Sequence, residues 1–509
     1  MSTTAGDGVS PDEGPAAPRT VCGIETEYGI TITGQEEFNP VLASSLLINS
    51  YADAVLRRVR WDFEDEHPDI DARGIDLPAA APPEVETHLV NVVLTNGARY
   101  YVDHAHPEYS SPEVASAHEA LLYDKAGEAI VAASVRAAQD TLPPGERIAA
   151  YKNNSDGKGN SYGCHENYLI DRGVPFSRIV ACMLPFFVSR QVVCGAGKVG
   201  AEHGQAACDF QISSRADFFE EEVGLETTLK RPIVNTRDEP HADPARWRRL
   251  HVIVGDANMS EVSTLLKLGT TSLVLHVLEA TGEMPDATLL NPVAAIHAVS
   301  HDPTCRRVLR MADGRAVTPV ELQWDYYELV AKYCEPFGDD LDPGHREVLR
   351  RWYDVLSALE DDPMRCDGVL DWPTKLAVLE AYRDRGGLAW DDPRLRLIDL
   401  QYHDVNPDKG LAYTLMRAGK LERILDAAAV ADAVTEPPTT TRAYFRGRCL
   451  EKYPDAVVSA NWDSMVFDTG ADALRRVPML DPLRGTEEIV GELLERSATA
   501  GELLDALGA

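Results

Sequence analysis

The chain lacks a Cys-x-x-Cys pair, an internal repeat and any run of about 18 uniformly apolar residues. It also lacks the basic n-region and apolar h-region of a secretory signal. These absences argue against a zinc ribbon, a solenoid, a membrane span and export. The nine cysteines are odd in number and scattered, so they read as reduced, mostly packed thiols rather than a disulfide framework. Cations are scarce: 49 Lys and Arg against 82 Asp and Glu leave a net charge of −33. Such a surface repels nucleic acid and anionic membrane, so neither is an expected partner. An acidic protein partner would have to meet a local basic patch. A cytoplasmic location is expected. At 509 residues the chain exceeds one core of ordinary size, which predicts two domains or one large decorated domain.

Residues 1–18 are Gly, Ala, Pro and acidic residues without periodicity, and are expected to be a disordered leader. A catalytic domain is expected over 19–436 and a small C-terminal domain over 442–509, joined by the Pro437–Thr441 stretch read as a linker. Apolar spacing predicts a helix over Val41–Arg60. An acidic, proline-bearing segment follows at 61–86, a flexible insertion of a length that is either functional or disordered. Strand signals cover His88–Leu94, and Asn96-Gly97 marks a hairpin whose return strand carries Tyr101 and Asp103. Ser110-Ser111-Pro112-Glu113 resembles a capping box, predicting a helix from there to about Gln139. Further strands are expected at Ser161–Ile170, Phe186–Val193 and Arg248–Val254. Helices are expected at Met259–Glu279, Thr318–Cys334, His345–Leu359, Lys375–Arg385 and Gly410–Arg417.

The chemistry lies in polar residues two apart, which share one face of a strand. Glu25/Glu27, Tyr101/Asp103, His165/Asn167 and Arg249/His251 are four such pairs on separate predicted strands. Any one pair reads equally well as a solvated strand face. Four together put carboxylates on one surface, where they repel unless cations lie between them. This donor set suits Mg²⁺ or Mn²⁺, and Mg²⁺ commonly shares its site with nucleotide phosphates. Arg249 and the N-terminus of the helix expected after Ser111 are candidate phosphate binders, and Glu108, placed in the turn past Asp103, is a further candidate ligand. Cys164-His165 is a candidate metal pair whose plainer reading is a packed thiol. Gly195–Gly200 matches G-x-G-x-x-G but lacks the strand and helix that a dinucleotide fold needs. Asn153–Gly163 has no Walker spacing and reads as a polar loop leading into the His165 strand.

GIETEYGI, NGARYYVDHAHPEYS, NSDGKGNSYGCHENYL, RLHVIVGDANMSE, IDLQYHDV and TRAYFRGRCL closely resemble the Pup ligase/deamidase family, carboxylate–amine ligases related to glutamine synthetase. The resemblance runs from about Arg19 to about Asp468. It implies an α+β fold: a glutamine synthetase-like, twisted, mainly antiparallel sheet with helices on its back. It implies Asp103 as the central catalytic residue and Mg²⁺ ligation by Glu25, Tyr101, Glu108, His165 and His251. ATP is placed near Gly23, Ile24, Glu25, Thr26, Glu27, Ser110, Ser111, Asn167 and Arg249, with Trp462 beside the nucleotide. Arg215 and Arg237 are weaker carry-overs for phosphate or substrate carboxylate; a surface salt bridge is an equal reading of each.

Of the family's two branches, one ligates Pup to lysines. The other deamidates the C-terminal Gln of Pup and removes Pup from tagged proteins. The short Asp103–Glu108 spacer and the segment before Asn91 resemble the second branch. The resemblance thus implies Pup and pupylated proteins as substrates, Mg-ATP as a bound cofactor, and a functional link to a bacterial proteasome and its ATPase. The alternatives are Pup ligation, a small-molecule carboxylate–amine ligase and a nucleotide-binding scaffold without chemistry. Asp103 is expected either to attack the amide or to act as base on water, and the 61–86 segment either to gate the site or access of tagged proteins, or to be a passive insert. A basic groove for acidic Pup is expected from Arg442, Arg446, Arg448, Lys230, Arg231, Arg246 and Arg248.

Overall fold

The computed structural model describes residues 17–18, 20–35, 37–55, 59–63, 66–74, 90–202 and 204–508. Leader residues 1–16, helix residues 56–58, strand residues 88–89, and 64–65 and 75–86 of the expected insertion lie outside the described residues.

Ten strands matter to the site: β1 (Cys22–Glu27), β2 (Arg60–Trp61), β3 (Asn91–Val93), β4 (Arg99–Asp103), β5 (His106–Ser110), β6 (Cys164–Asp171), β7 (Trp247–Val252), β8 (Val457–Ala460), β9 (Ser464–Phe467) and β10 (Arg475–Pro478). The central sheet runs β7-β6-β1-β5-β4-β3 and every neighbouring pair is antiparallel. One face is apolar: Ile24, Tyr100, Tyr109, Cys164, Tyr168, Leu250 and Val252 are buried on it. Helices α1 (Pro40–Val55) and α2 (Ala117–Gln139) pack behind the β1–β5–β4 half of the sheet, and α3 (Phe176–Cys194) and α4 (Glu261–Thr281) behind the β6–β7 half. Gly127 of α2 lets the helix press on Tyr109, whose ring a Cβ there would overlap. Glu166 faces the same interior and is satisfied by a two-pronged ion pair with Arg190 of α3, at 2.7 and 2.8 Å.

Several local expectations change. The strand carrying Glu25 and Glu27 ends at Glu27, and Gly29–Thr33 pairs with Arg147–Tyr151 in a separate ribbon. Phe186–Val193 is the second half of helix α3, not a strand. A run buried on all sides has neither period 2 nor period 3.6, so its β-branched residues misled. By length and composition α3 is the one helix among the described residues apolar enough to cross a bilayer, yet 67% of that stretch is buried inside the protein. Helix α2 begins at Ala117, not near Ser111: Ser116 caps it by accepting from Glu119 N. Ser110 ends β5, and Ser111 Oγ accepts from Ile24 N at 3.0 Å. Glu108 lies within β5 rather than in the turn.

The C-terminal elements form a second sheet, β10-β9-β8-β2, in which Arg60–Trp61 supplies the strand parallel to β8. Its core joins Val59, Trp61 and Val93 to Phe445, Phe467 and Leu504. The lock between the sheets is ionic. Glu113 receives Arg442 Nε at 2.5 Å and also pairs with Arg446, which donates to Gly97 O at 3.1 Å and Trp462 O at 3.0 Å. Arg442 and Arg446 are 3% and 0% exposed, so they are structural cations of the hairpin junction rather than a Pup groove. Arg448 pairs with Glu436 and Glu451, and Arg248 with Asp238. Arg246 is exposed and faces Asp481. Arg231 donates to the Thr227 and Ser161 carbonyls.

Burial pushes the Glu113 carboxyl up, but Arg446 and Arg442 outweigh it and hold it at about 2. A depressed acid contributes stability above its unfolded value near 4.5 and loses it as pH falls towards about 2. Glu113→Gln should therefore cost about 3 kcal/mol at pH 7, with the gap to wild type closing across that acid window. Urea titrations at stepped pH measure it; a pH-independent gap would contradict the assignment.

Candidate active site: two ligand clusters beside a cavity

The polar face of the central sheet follows from register. Glu25 pairs with His165 on one side and Ser110 on the other, Glu27 with Glu108, Glu108 with Tyr101, and Asn167 with His251. Because antiparallel partners point to the same side, β1, β4, β5, β6 and β7 all present their polar pairs to one surface.

Two groups of ligand atoms converge, each lying within 4.8 Å of one another: Glu25, His165 and His251, and Glu27, Asp103 and Glu108. In the first, Asn167 Nδ2 donates to Glu25 Oε1 at 2.7 Å, and Asn167 Oδ1 meets His251 Nδ1 at 3.0 Å and Arg249 Nη1 at 2.9 Å. Burial raises the Glu25 carboxyl, but His165, Arg249 and Asn167 together bring it below the usual range. Burial, then Arg249 and His165, push His251 well below 6.5, so it is a neutral imidazole. Its Nε2 is buried without a hydrogen-bond partner. A neutral, unpartnered imidazole nitrogen beside a carboxylate fits a divalent cation. Gly163 is required here, since a Cβ would collide with the His165 ring.

In the second group, Tyr101 donates to Glu108 Oε1 at 2.7 Å and Ser110 Oγ to the same oxygen at 3.3 Å. Tyr101 thus stands as a partner of Glu108, while the Arg99 guanidinium packs between the Trp61 and Tyr101 rings at 4.1 and 3.9 Å. Asp103 sits half-buried at the hairpin tip, with Oδ2 2.9 Å from Nδ1 of His104, itself at φ +51°. Burial opposes ionisation of Asp103; His104, His165 and Arg99 prevail and lower it. Glu108 moves the other way, pushed well above 4.5 by burial and by Asp103, Glu25 and Glu27.

Beyond Glu25 opens a cavity lined by Gly23, Ile24, Glu25, Ser110, Ser111, Asn167, Arg249 and Trp462. Eight of the ten residues expected around a nucleotide thus share one wall. Thr26 does not: it lies on the buried face beside Cys164 Sγ. Glu27 belongs to the carboxylate cluster, with His106 Nδ1 at 3.3 Å. Cys164 is buried away from His165's face, which removes it as a ligand. Arg237 is half-buried with an unpartnered Nε, whereas Arg215 is buried and donates to the Ile253 carbonyl. Sequence reasoning missed His241 and Pro240 in the cavity wall, and the role of Glu113 and Arg442 there. His241 lies at φ +48°. It sits in a loop with no alternation to read. His106 was visible within the quoted motif but had no assigned part.

An antiparallel sheet that offers two cation-ready clusters beside a cavity lined by arginines is the layout of an α+β enzyme that works on a charged substrate or cofactor. The Pup-ligase protein family model matches residues 20–466, and the chain belongs to this family. It is 55% identical over 497 residues to the Depupylase of Acidothermus cellulolyticus, covering 96% of this chain and 99% of the relative. It is 49% identical to the Pup deamidase/depupylase of Mycolicibacterium smegmatis, covering 96% and 99%. To the Pup–protein ligase of Nakamurella multipartita it is 39% identical, covering 94% and 99%. The crystal structure of Pup with its ligase PafA aligns at TM-score 0.79 and 31% identity, covering 96% of this chain and 94% of the other. PafA in complex with ADP aligns at TM-score 0.73 and 34% identity, covering 83% and 96%.

Since Glu108 holds its proton above the ordinary carboxylate range in metal-free protein, stability should fall as pH rises from 4.5 upward. Glu108→Gln should remove that fall and stabilise the metal-free protein at pH 8 by roughly 1 kcal/mol. Thermal melts in chelator across pH test this; a destabilised variant at pH 8 would count against like-charge repulsion.

Proposed function

We propose that the chain is a Pup deamidase and depupylase. It hydrolyses the C-terminal Gln side-chain amide of Pup to Glu and cleaves the isopeptide between Pup and a substrate lysine. The observation that carries this reading is the identity gradient: 55% and 49% to depupylases, against 39% to a ligase at similar coverage. The tight two-residue turn at His104-Ala105, which brings Asp103 directly opposite His106, supports it. Pup and pupylated proteins are then the partners, with a cytoplasmic setting and a link to a bacterial proteasome and its ATPase.

ATP is a bound cofactor in the cavity, held by Arg249, Asn167, Ser111 and Trp462. Glu25, His165 and His251, and Glu27 with Glu108 backed by Tyr101, are the groups that hold Mg²⁺. Bound Mg²⁺ supplies charge neutralisation for these carboxylates and polarises phosphate or carbonyl oxygens. Arg237, with its free Nε, suits a phosphate or substrate carboxylate better than Arg215 does.

The reacting group is Asp103. The hydrogen bond to His104 fixes its Oδ2 and favours the ionised form. The carboxylate either adds to the amide carbon, forming an anhydride that water cleaves after the amine departs, or takes a proton from the water that attacks. Both routes end in a carboxylic acid and a free amine and need Asp103 ionised. Trp61, edge-to-face with Trp462 at 5.1 Å between ring centres, ties the start of the 61–86 segment to the cavity wall, which supports a gating role for that segment.

Asp103→Asn should keep the fold and nucleotide binding while lowering both activities by at least about 10²–10⁴-fold. Mass spectrometry of Gln-ended Pup with Mg-ATP reads the amide-to-acid conversion; near-normal turnover would sink the assignment. ATP-coupled joining of Pup to lysine by the wild type would instead favour the ligase. Adding Mg²⁺ at about 100 times its Kd should raise stability by about 2.7 kcal/mol. His251→Ala should cut that gain sharply, as seen in melts with and without chelator.

A further inference from the structure

Amide hydrolysis at Asp103, the reading on which this inference rests, puts negative charge on the substrate's carbonyl oxygen when a nucleophile adds to its carbon. A preorganised hydrogen-bond donor aimed at that oxygen lowers the barrier. Among the described residues, three buried side-chain nitrogens of the site have no hydrogen-bond partner: His106 Nδ1, Arg237 Nε and His251 Nε2. His251 belongs to the first ligand cluster, and Arg237 suits a phosphate or carboxylate. His106 stands directly opposite Asp103 across the antiparallel hairpin, with only the turn His104-Ala105 between them. Such partners point to the same side of a sheet, with Cβ atoms about 5 Å apart. The orphaned nitrogen thus lies on the residue nearest in register to the reacting carboxylate.

The surroundings hold this imidazole in place. Pro107 follows it, and a proline disfavours the helical region for the residue before, which keeps His106 extended at the head of β5. The His106 ring lies on the Tyr162 ring, with centroids 4.4 Å apart and planes 31° from parallel. Tyr162 is buried and donates through its hydroxyl to Asn153 Oδ1 at 2.5 Å, while Asn153 Nδ2 donates to Ser155 O at 2.8 Å. Nδ1 lies 3.3 Å from Glu27 Oε2, yet without the alignment of a hydrogen bond. A buried N–H left unspent costs free energy until a ligand completes it.

We propose that His106 is a catalytic residue: with its proton on Nδ1, it donates a hydrogen bond to the oxygen of the scissile carbonyl. As Asp103, or water deprotonated by Asp103, bonds to the carbon, the C=O π pair moves onto oxygen, where the Nδ1–H meets it. On collapse the C=O bond is restored and the C–N bond breaks. The departing nitrogen takes its proton from Asp103 in the water route and from solvent in the anhydride route. His106 keeps its own proton throughout, so its part is electrostatic. Tyr162 does not touch the substrate; it is a positioning residue that acts through the imidazole.

The test uses the full chain with Mg-ATP and Gln-ended Pup, with initial rates read by mass spectrometry. His106→Ala should lower kcat about 10²–10³-fold, the usual loss of one oxyanion donor, with KM for Pup changed less than about 3-fold. His106→Asn, which keeps an N–H near the Nδ1 position, should recover at least about 10-fold of that loss. Tyr162→Leu, which removes the stacked ring, should lower kcat about 10-fold, and Tyr162→Phe, which keeps it, should lower kcat less. The rise in melting temperature with Mg²⁺ should persist in His106→Ala; its loss would make His106 a support of the carboxylate cluster and overturn the proposal. Near-normal kcat in folded His106→Ala, a defect confined to KM, or His106→Asn no faster than His106→Ala would overturn it as well. A wild type that leaves Gln-ended Pup intact would remove the deamidase reading and this proposal together, whereas an active wild type with an indifferent His106→Ala removes the proposal alone.

Discussion

Glu27 and Glu108 face each other directly across an antiparallel pairing, with Asp103 close enough to share a ligand point. Like charges opposed across strands destabilise a sheet, and much of the structure is arranged around that conflict. Glu108 keeps its proton because burial and the neighbouring carboxylates outweigh the hydrogen bond that Tyr101 donates to it. Asp103 is drawn the other way by His104 at the hairpin tip. The same repulsion that weakens the metal-free sheet creates a demand for cations. Neighbouring carboxylates with opposite proton affinities are also the kind of asymmetry that separates a reacting group from a supporting one.

Holding such a face in register needs rigidity behind and beside it. Behind, the Glu166–Arg190 pair pins the strand carrying His165 and Asn167 to helix α3. Beside it, Glu113 joins two buried arginines, one of which also grips the Gly97 turn of the Asp103 hairpin. Breaking pairs of this kind leaves an uncompensated charge inside the protein. The C-terminal elements are therefore part of the site: they deliver Trp462 and Arg442 to the cavity and brace the hairpin on which Asp103 sits.

The polar face was legible in the chain because period-2 alternation is a local property. Glu25, His165, Asn167, Arg249 and His251 were each placed correctly on a strand face, and Asn96-Gly97 announced its hairpin. Misreadings came where local pattern and tertiary environment part. The second half of helix α3 is buried all round, so its apolar run carried no period. Ser110–Glu113 imitates a helix cap, yet the chain spends those residues on pairing with β1 and on an ion lock. Arg442 and Arg446 of TRAYFRGRCL looked like a surface for an acidic partner because sequence does not show that Glu113 lies against them.

From sequence alone came the composition, the family motifs and the metal-suited donor types, all properties of residue identity and short spacing. Tertiary structure alone decided which ligands share a cluster. Glu27 left the nucleotide wall for Asp103 and Glu108, and Tyr101 became a partner of Glu108. Such juxtapositions depend on strand register and on packing between distant segments, and neither is encoded in the spacing of any one of them.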